Sequence, residues 1–190
     1  MVPVLEAERV RIRPLRMDDL SAVDRLYTDI AWSDSNASAE ANLARRRSWI
    51  EWSIRNYEEL AQLHQPPYGD RAVVLKSTGQ LAGLVGLVPL LAPFGQLPSE
   101  GSREHVRYCT EVGLFWATSP SLQRKGFASE AARALIQYAF DQLKLARILA
   151  GTEHSNVGSI AVMRRLGMRI ERNPFPEPAW FQTVGILDAP

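Results

Sequence analysis

The feature of this sequence that most constrains its fold is an apolar stripe at helical spacing between positions 128 and 143. Its members follow one another at i, i+3, i+4, i+7 and onwards, so they share one face of a long helix. A strand predicted over 107–117 precedes this helix, and a short apolar strand over 147–152 follows it. The stripe consists of Ala128, Ala131, Ala132, Leu135, Ile136, Ala139, Phe140 and Leu143.

The rest of the chain alternates between period-2 and helical patterns, with Gly and Pro at the boundaries. Arg9–Leu15 predicts a first strand, and Asp18-Asp19 are suited to start a helix. The remaining predictions are one long helix or two short ones over 39–64, strands at 71–76 and 80–91, a mobile loop at 93–105, a helix over 156–166, and strands at 168–172 and 181–187. This order, without a long linker or a repeat, predicts a single mixed α/β (α+β) domain over residues 1–190.

Composition excludes several classes of protein. The chain has 190 residues, a formal net charge of +1 and one cysteine, Cys109, so a disulfide framework is impossible and a cysteine-built metal site is not expected. The three histidines lack metal-ligand spacing, and we expect no metal. No apolar run reaches the roughly 18 residues of a spanning helix, no signal peptide is evident, and no basic stripe predicts nucleic-acid binding. We therefore expect a cytoplasmic enzyme or binding module.

The segment leading into the long helix has the properties of an anion site. A glycine, Gly126, lies between a strand and a helix start, where several backbone N–H groups point the same way and the helix dipole adds positive charge. Arg124 and Lys125 add full charges. Neither Gly-x-x-x-x-Gly-Lys-Ser/Thr nor Gly-x-Gly-x-x-Gly occurs in the chain. By itself the segment is equally compatible with an ordinary helix entry carrying a solvated Arg-Lys pair.

A second segment narrows the choice. Asn156 and Ser159 are placed at i, i+3 near the start of the predicted helix that stops at Gly167. The combination resembles the GNAT N-acetyltransferase superfamily, and within it the ribosomal-protein N-terminal (RimJ/RimL-like) acetyltransferases. The motifs that carry the resemblance are Gln-x-x-Gly-x-Ala at 123–128, Asn-x-x-Ser-x-x-x-Met-x-x-Leu-Gly at 156–167, Glu-Val-Gly at 111–113 and the opening segment 8–19.

The resemblance implies a mixed, mostly antiparallel sheet with helices on both faces, splayed between its fourth and fifth predicted strands, 107–117 and 147–152. It also implies acetyl-CoA as cosubstrate. By this analogy the backbone of Leu114, Phe115 and Trp116 pairs with pantetheine, and Asn156 contacts the pantetheine arm. Ser159 and Arg164 complete the CoA contacts, and the pyrophosphate lies on the amides around Gln123, Arg124, Lys125, Gly126, Phe127 and Ala128.

The expected reaction is direct transfer of acetyl to a primary amine in a ternary complex. Glu111 is the candidate base; the alternatives are a solvent-facing or salt-bridged strand carboxylate, or a water relay. Many family members have a tyrosine acid three residues before the Leu-Gly pair, where this chain has Met163. Ser159 is then the candidate acid, with helix capping or a CoA contact as the alternative. We interpret Cys109 as a packed core thiol rather than a nucleophile.

The acceptor remains open between a protein N-terminal α-amine and a small amine such as an amino acid, polyamine or antibiotic. A catalytically silent acyl-CoA-binding module is the alternative from another class. Homodimers are frequent in this kind of protein, and residues 49–60 or the C-terminal strand are candidate surfaces. No nucleic acid or membrane partner is expected.

Overall fold

A computed structural model describes residues 3–190, which form eight strands and four α-helices. The strands are β1 (Leu5–Glu6), β2 (Val10–Pro14), β3 (Gly69–Leu75), β4 (Leu81–Ala92), β5 (Cys109–Thr118), β6 (Arg147–Thr152), β7 (Arg169–Arg172) and β8 (Thr183–Asp188). The helices are α1 (Leu20–Asp29), α2 (Ala39–Gln62), α3 (Phe127–Asp141) and α4 (Val157–Arg165). The chain order agrees with the predicted mixed α/β class.

All eight strands belong to one sheet, in the order β1-β2-β3-β4-β5-β6-β8-β7. The pairs β1–β2, β2–β3, β3–β4, β6–β8 and β7–β8 are antiparallel. β5 and β6 are parallel and pair at Gly113 and Leu149, whereas β6 and β8 pair along their whole length. The short parallel ladder between β5 and β6 agrees with the predicted splay of the fourth and fifth expected strands.

The chain divides into two compact units. The first comprises the chain up to Leu87 together with Phe115–Leu135. Its core joins α1 and α2 to the apolar residues of β3, β4 and β5. Ile50 of α2 and Ala72 of β3 are both fully buried there, and the indole of Trp49 packs against the same cluster. This burial explains why α1 and α2 form although their solvent-facing sides are strongly polar.

The second unit comprises Val88–Leu114 and Ile136 to the C-terminus. On one face of β6 and β8 the core contains Leu149, Val184 and Ile186, against which Phe94 and Leu97 pack. Gly185 alternates to the other face, where a Cβ would lie 3.1 Å from Cγ of Met163 in α4. The segment after β4 and helix α4 therefore cover opposite faces of these strands.

Local signals account for the helix boundaries. The Ser38 hydroxyl accepts a hydrogen bond from the Ala41 N–H at the start of α2, a single helix of 24 residues. Asn156 caps α4 in the same way, and Gly167 after that helix has φ +80°. The middle of the predicted apolar stripe is buried in α3, at Ala131, Ala132, Leu135, Ile136 and Ala139.

Two expectations are wrong. The predicted mobile loop at 93–105 contains two short 3-10 helices, and Gln96 of this segment is buried, receives a 2.8 Å hydrogen bond from the Asn173 amide and donates one to the Glu104 carbonyl. The predicted core thiol, Cys109, is exposed because it occupies the first, solvent-facing position of β5. Strand β1 was not predicted, since two residues show no periodicity.

Candidate active site

The glycine segment before α3 forms a concave row of backbone N–H groups. Arg124 and Gly126 both adopt positive φ, +61° and +86°, on either side of Lys125. The first helical hydrogen bond runs from the Glu130 N–H to the Gly126 carbonyl. Within residues 3–190, the N–H groups from Arg124 to Ser129 donate to no protein acceptor. Free N–H groups at the start of a 15-residue helix favour an anion such as a diphosphate.

A clasp between Arg9 and Glu130 borders this loop. The Arg9 backbone N–H donates to Glu130 Oε1 at 2.6 Å, and its Nε donates to Oε2 at 2.7 Å. Arg9 Nη1 donates to the Lys125 carbonyl at 3.1 Å, and the guanidinium lies 4.8 Å from the centre of the Phe127 ring. Burial raises the pKa of Glu130, but the hydrogen bonds from Arg9 outweigh it and hold the pKa below its ordinary value.

Close packing of β4 against β5 lies beneath the loop. A Cβ at Gly83 would meet the Ala117 carbonyl at 2.1 Å, so only glycine fits at this point of β4. A shallow depression next to it is lined by the apolar side chains Val73, Ala82, Leu84 and Ala117 together with Thr118, Phe127 and Ala128. The start of α3 is therefore fixed on a rigid strand pair.

The end of β5 in the first unit carries an aromatic cluster. The rings of Trp32 and Phe115 are 5.7 Å apart, and Tyr27 lies 5.8 Å from Trp32 and 6.1 Å from Trp49. The Trp32 side chain is 56% exposed. The cluster places an open aromatic surface beside the strand residues predicted to pair with pantetheine.

A buried carboxylate, Asp70 of β3, lies behind this cluster. The Tyr27 hydroxyl donates to Asp70 Oδ2 at 3.4 Å, and the Tyr57 hydroxyl donates to the Asp70 backbone carbonyl at 2.7 Å. Burial raises the pKa of Asp70 to about 7, against the opposing effects of Tyr27 and Arg46. The Arg46 guanidinium stacks 3.5 Å from the centre of the Tyr27 ring. Sequence reasoning missed Asp70 because burial, not residue type, makes it unusual.

In the second unit, the α4 start holds the other predicted CoA contacts. Asn156 Oδ1 accepts a 3.0 Å hydrogen bond from the Ser159 N–H, so Asn156, and not the Ser159 side chain, caps α4. Both side chains retain donors for other partners, the Asn156 amide NH₂ and the Ser159 hydroxyl. Arg164 is exposed in the last turn, and Met163 is fully buried. Ser159 is the one residue of α4 whose side chain carries a hydroxyl.

Glu111, the candidate base, is held by Arg147. Arg147 Nη2 donates to Oε1 at 2.5 Å and Nε donates to Oε2 at 3.2 Å, and the guanidinium stacks 4.4 Å from the Phe94 ring centre. The hydrogen bond to Glu111 raises the pKa of Arg147. The Glu111 side chain is only 10% exposed. Each of its oxygens has a further lone pair, so the carboxylate can still accept from an ammonium or a water.

The structure thus groups the predicted residues within each unit. Gln123–Ala128, Phe115 and Trp116 belong to the first unit, and Leu114, Glu111, Asn156, Ser159 and Arg164 belong to the second. Arg9 and Glu130 were missed, although an acidic residue in the first turn of α3 was a visible signal for Glu130. His154 is exposed, and its Nδ1 lies 2.8 Å from the Thr183 hydroxyl.

Residues 3–190 contain neither a metal-ligand cluster nor a membrane-spanning helix. No group of three or more His, Cys, Asp or Glu side chains is arranged to hold a metal ion among residues 3–190. None of the helices in that range combines the length and apolar character needed to cross a bilayer.

Known proteins resemble this chain over most of its length. The acetyltransferase (GNAT) domain family matches residues 9–169. The spermidine N(1)-acetyltransferase of Escherichia coli strain K12 is 30% identical over 168 residues, which cover 87% of this chain and 75% of that protein.

Solved structures share the fold at lower identity. RimJ of Mycobacterium smegmatis, in complex with a CoA disulfide, has a TM-score of 0.66 at 19% identity, over 98% of this chain and 88% of that one. The ribosomal-protein-S5-alanine acetyltransferase of Vibrio fischeri has a TM-score of 0.63 at 17% identity, over 98% and 97% of the two chains. These likenesses concern the fold.

Proposed function

Since this chain belongs to the GNAT acetyltransferase family and transfers an acetyl group from acetyl-CoA to a primary amine, we propose that its acceptor is a protein N-terminal α-amine. The observation that carries this proposal is the ion pair between Glu111 and Arg147. An arrangement in which both carboxylate oxygens already accept from a guanidinium can orient an amine through the remaining lone pairs. It suits an amine with a pKa of about 7.7–8.0, which is partly neutral without help, better than an alkylamine near 10.4.

The charges around the aromatic cluster support the same acceptor. Asp34 is exposed but pairs with Arg45 at 2.8 Å, and Asp70 is buried. Arg45, Arg46 and Arg47 make this part of α2 basic. A polyamine with several ammonium groups needs several available carboxylates, whereas a peptide brings a single ammonium and can carry acidic side chains toward the arginines.

We assign the acetyl-CoA contacts to the residues singled out in the sequence. The amides from Arg124 to Ala128 hold the pyrophosphate, helped by Gln123 and the charges of Arg124 and Lys125. The backbone of Leu114, Phe115 and Trp116 pairs with the pantetheine arm, and Asn156, Ser159 and Arg164 contact the same ligand. Acetyl-CoA supplies the activated thioester; the chain supplies binding, orientation and proton transfer.

For catalysis we assign Glu111 and Ser159. The neutral amine attacks the thioester carbonyl, the C–N bond forms as the C–S bond breaks, and the proton that the amine loses ends on the released thiol. Glu111 orients the amine by accepting a hydrogen bond from its N–H or from a relay water through the remaining lone pairs. The Ser159 hydroxyl, which has no hydrogen-bond partner in the described chain, donates toward the leaving sulfur. Much of the acceleration then comes from positioning, so each substitution should lower the rate without abolishing it.

A spermidine-like small amine is the second candidate acceptor. The observation in its favour is the 30% identity, over 87% of this chain, to a spermidine N(1)-acetyltransferase. Such an acceptor requires the protein to deprotonate an amine whose neutral form, near pH 7, is roughly a few hundredfold scarcer than that of an α-amine. Peptide and polyamine should therefore differ in the pH at which the rate rises, which separates the two candidates.

The experiment compares acetyl transfer to N-terminal peptides and to small amines, with release of the CoA thiol as the signal. The proposal expects a higher kcat/KM for a peptide than for spermidine, amino acids or aminoglycosides. A preference for spermidine would transfer the assignment to the second candidate. Binding of CoA without thiol release for any amine would instead indicate a silent binding module and contradict both.

The catalytic assignments are tested by Glu111→Gln and Ser159→Ala. Each should lower kcat at least roughly tenfold while the Kd for CoA changes little. Glu153→Gln and Ser155→Ala are matched controls, since both side chains are exposed in the loop before α4. If either active-site variant keeps full turnover, that residue has no catalytic role.

The extent of the domain and the oligomeric state are also proposals. We propose that residues 1–190 form one acetyltransferase domain; Met1 and Val2 lie outside the described residues. We also propose a homodimer that uses the outer side of α2, where Trp52 is 51% exposed. Light scattering of the wild type and Trp52→Ser tests the dimer, which the variant should weaken.

A further inference from the structure

We infer that Arg9 is a positioning residue for CoA, because its clasp with Glu130 sets the phosphate-binding conformation of the loop before α3. The inference rests on the proposed binding of the CoA pyrophosphate by this loop. Arg9 lies 114 positions before Gln123, where the loop begins, and directly precedes β2. No sequence motif assigned Arg9 to CoA.

Hydrogen bonds hold the backbone of Arg9 in place. Its carbonyl accepts from the Lys76 N–H at 3.0 Å, and its N–H donates to Glu130. The next residue, Val10, is fully buried in β2 and its N–H also donates to Glu130, at 3.2 Å. The guanidinium therefore starts from a rigid point of the sheet, and little side-chain freedom remains to be lost when CoA binds.

From that point the side chain contacts three parts of the anion loop. It binds the Lys125 carbonyl, stacks against the Phe127 ring and pairs with the Glu130 carboxylate. It also limits the space at Gly126, where a Cβ would lie 3.3 Å from Arg9 Nη2. The carbonyl of Lys125 and the N–H of Gly126 belong to one planar trans peptide and point in opposite directions, so fixing the carbonyl also fixes the direction of that N–H. The contacts of Arg9 thereby hold the row of N–H groups open for a ligand.

The charges explain why both partners are needed. Glu130 is in the first turn of α3, and a bare carboxylate there would repel a bound diphosphate. Its oxygens accept from Arg9 and Val10 and its side chain is 15% exposed, so its charge is neutralised locally. The clasp fastens the helix start to the sheet without placing a net negative charge beside the ligand.

Only arginine satisfies all these contacts. The planar guanidinium directs Nε and Nη2 to the carboxylate and Nη1 to the Lys125 carbonyl. A lysine ammonium carries the same charge but cannot reach the carboxylate and the carbonyl in this fork geometry. The charge-conserving variant Arg9→Lys therefore separates geometry from charge.

The test measures the Kd for CoA by calorimetry and the KM for acetyl-CoA and kcat with the best acceptor amine, using the full chain. The variants are Arg9→Gln, Arg9→Lys, Glu130→Gln and the Arg9→Gln/Glu130→Gln double variant. Arg11→Gln is the matched control, since Arg11 lies two residues further along, in β2, and pairs with exposed Glu6. Thermal unfolding identifies any variant that fails to fold. Such a variant is replaced in the comparison by Phe127→Leu, which removes the stacking contact of Arg9 and keeps its hydrogen bonds.

We expect Arg9→Gln, Arg9→Lys and Glu130→Gln each to raise the Kd for CoA and the KM for acetyl-CoA roughly tenfold, with kcat at saturation within about twofold of the wild type. The double variant should be no weaker than the single ones, because the clasp is already lost. A Phe127→Leu variant should raise the Kd for CoA by roughly twofold or more.

Other outcomes overturn the inference. If Glu130→Gln keeps or improves CoA affinity, Arg9 acts by touching phosphate directly and not by positioning the loop. If Arg9→Lys behaves as the wild type, charge alone suffices. If kcat falls as much as affinity, the role is general and structural. A wild type that fails to bind CoA refutes the proposed loop itself, whereas normal CoA binding by every variant refutes only the role of Arg9.

Discussion

Asp70 shows at the residue scale how burial creates chemistry that residue type does not reveal. Burial raises its pKa to about 7 from an ordinary 3.8. Between these pH values the folded carboxyl keeps its proton while the unfolded one has lost it. The unfolded state then binds fewer protons, so stability falls as pH rises. The stabilising contribution is fully present below pH 3.8 and is lost as pH rises through about 7.

Asp70→Asn removes this titration and preserves the shape of the side chain. We expect the free energy of unfolding of the wild type to fall, relative to that of Asp70→Asn, as the pH rises from 4 to 8. The fall is at most about 4 kcal/mol, because each unit of pKa shift corresponds to about 1.36 kcal/mol. Urea unfolding of both proteins across this range measures the difference, in which the other titrating groups cancel. Asp141→Asn, at an exposed site, is the control. Parallel stability curves for wild type and Asp70→Asn would contradict the assignment.

At the scale of elements, the turn into α3 depends on the left-handed conformation of Gly126. Its φ is +86°, and a Cβ would lie 3.3 Å from Arg9 Nη2. Gly79, in the turn between β3 and β4, has φ +75° with nothing within 4 Å of a Cβ. Alanine at either position should cost about 1 kcal/mol or more of stability. Only Gly126→Ala should also raise the Kd for CoA, which calorimetry measures. Equal losses of CoA affinity in Gly126→Ala and Gly79→Ala would disprove this.

The elements themselves were largely predictable from the sequence. β6 was predicted at its observed bounds, and α3, α4 and β4 within two residues at either end, because the apolar periods and the capping residues are local. The two failures have different causes. β1 is too short to show a period, and the 93–105 segment was misjudged because the partners that bury it come later in the chain. Gln96, for example, depends on Asn173, 77 residues away.

At the scale of the whole molecule, the binding loop was predictable and its supports were not. The glycine, the basic pair and the helix start are contiguous, so elementary electrostatics identified an anion site. Arg9 and Glu130 are 121 residues apart, and Glu111 and Arg147 are 36 apart. A single sequence, read by itself, gives no sign of such pairs. Glu111 forms a salt bridge with Arg147, as one of the alternatives predicted. The turnover of Glu111→Gln decides whether Glu111 also takes part in the reaction.

The whole chain contains one thiol, and this makes the route of acetyl transfer testable. An acetyl-enzyme intermediate would need a nucleophile, and Cys109 is the only cysteine in the sequence. It is exposed at the start of β5. We expect Cys109→Ser to retain kcat within about twofold, because direct transfer in a ternary complex needs no enzyme nucleophile. Initial rates with both substrates varied should give intersecting lines. Mass spectrometry after incubation with acetyl-CoA alone should show no acetyl adduct that is passed to an added amine; such an adduct, with parallel lines, would establish a covalent route instead.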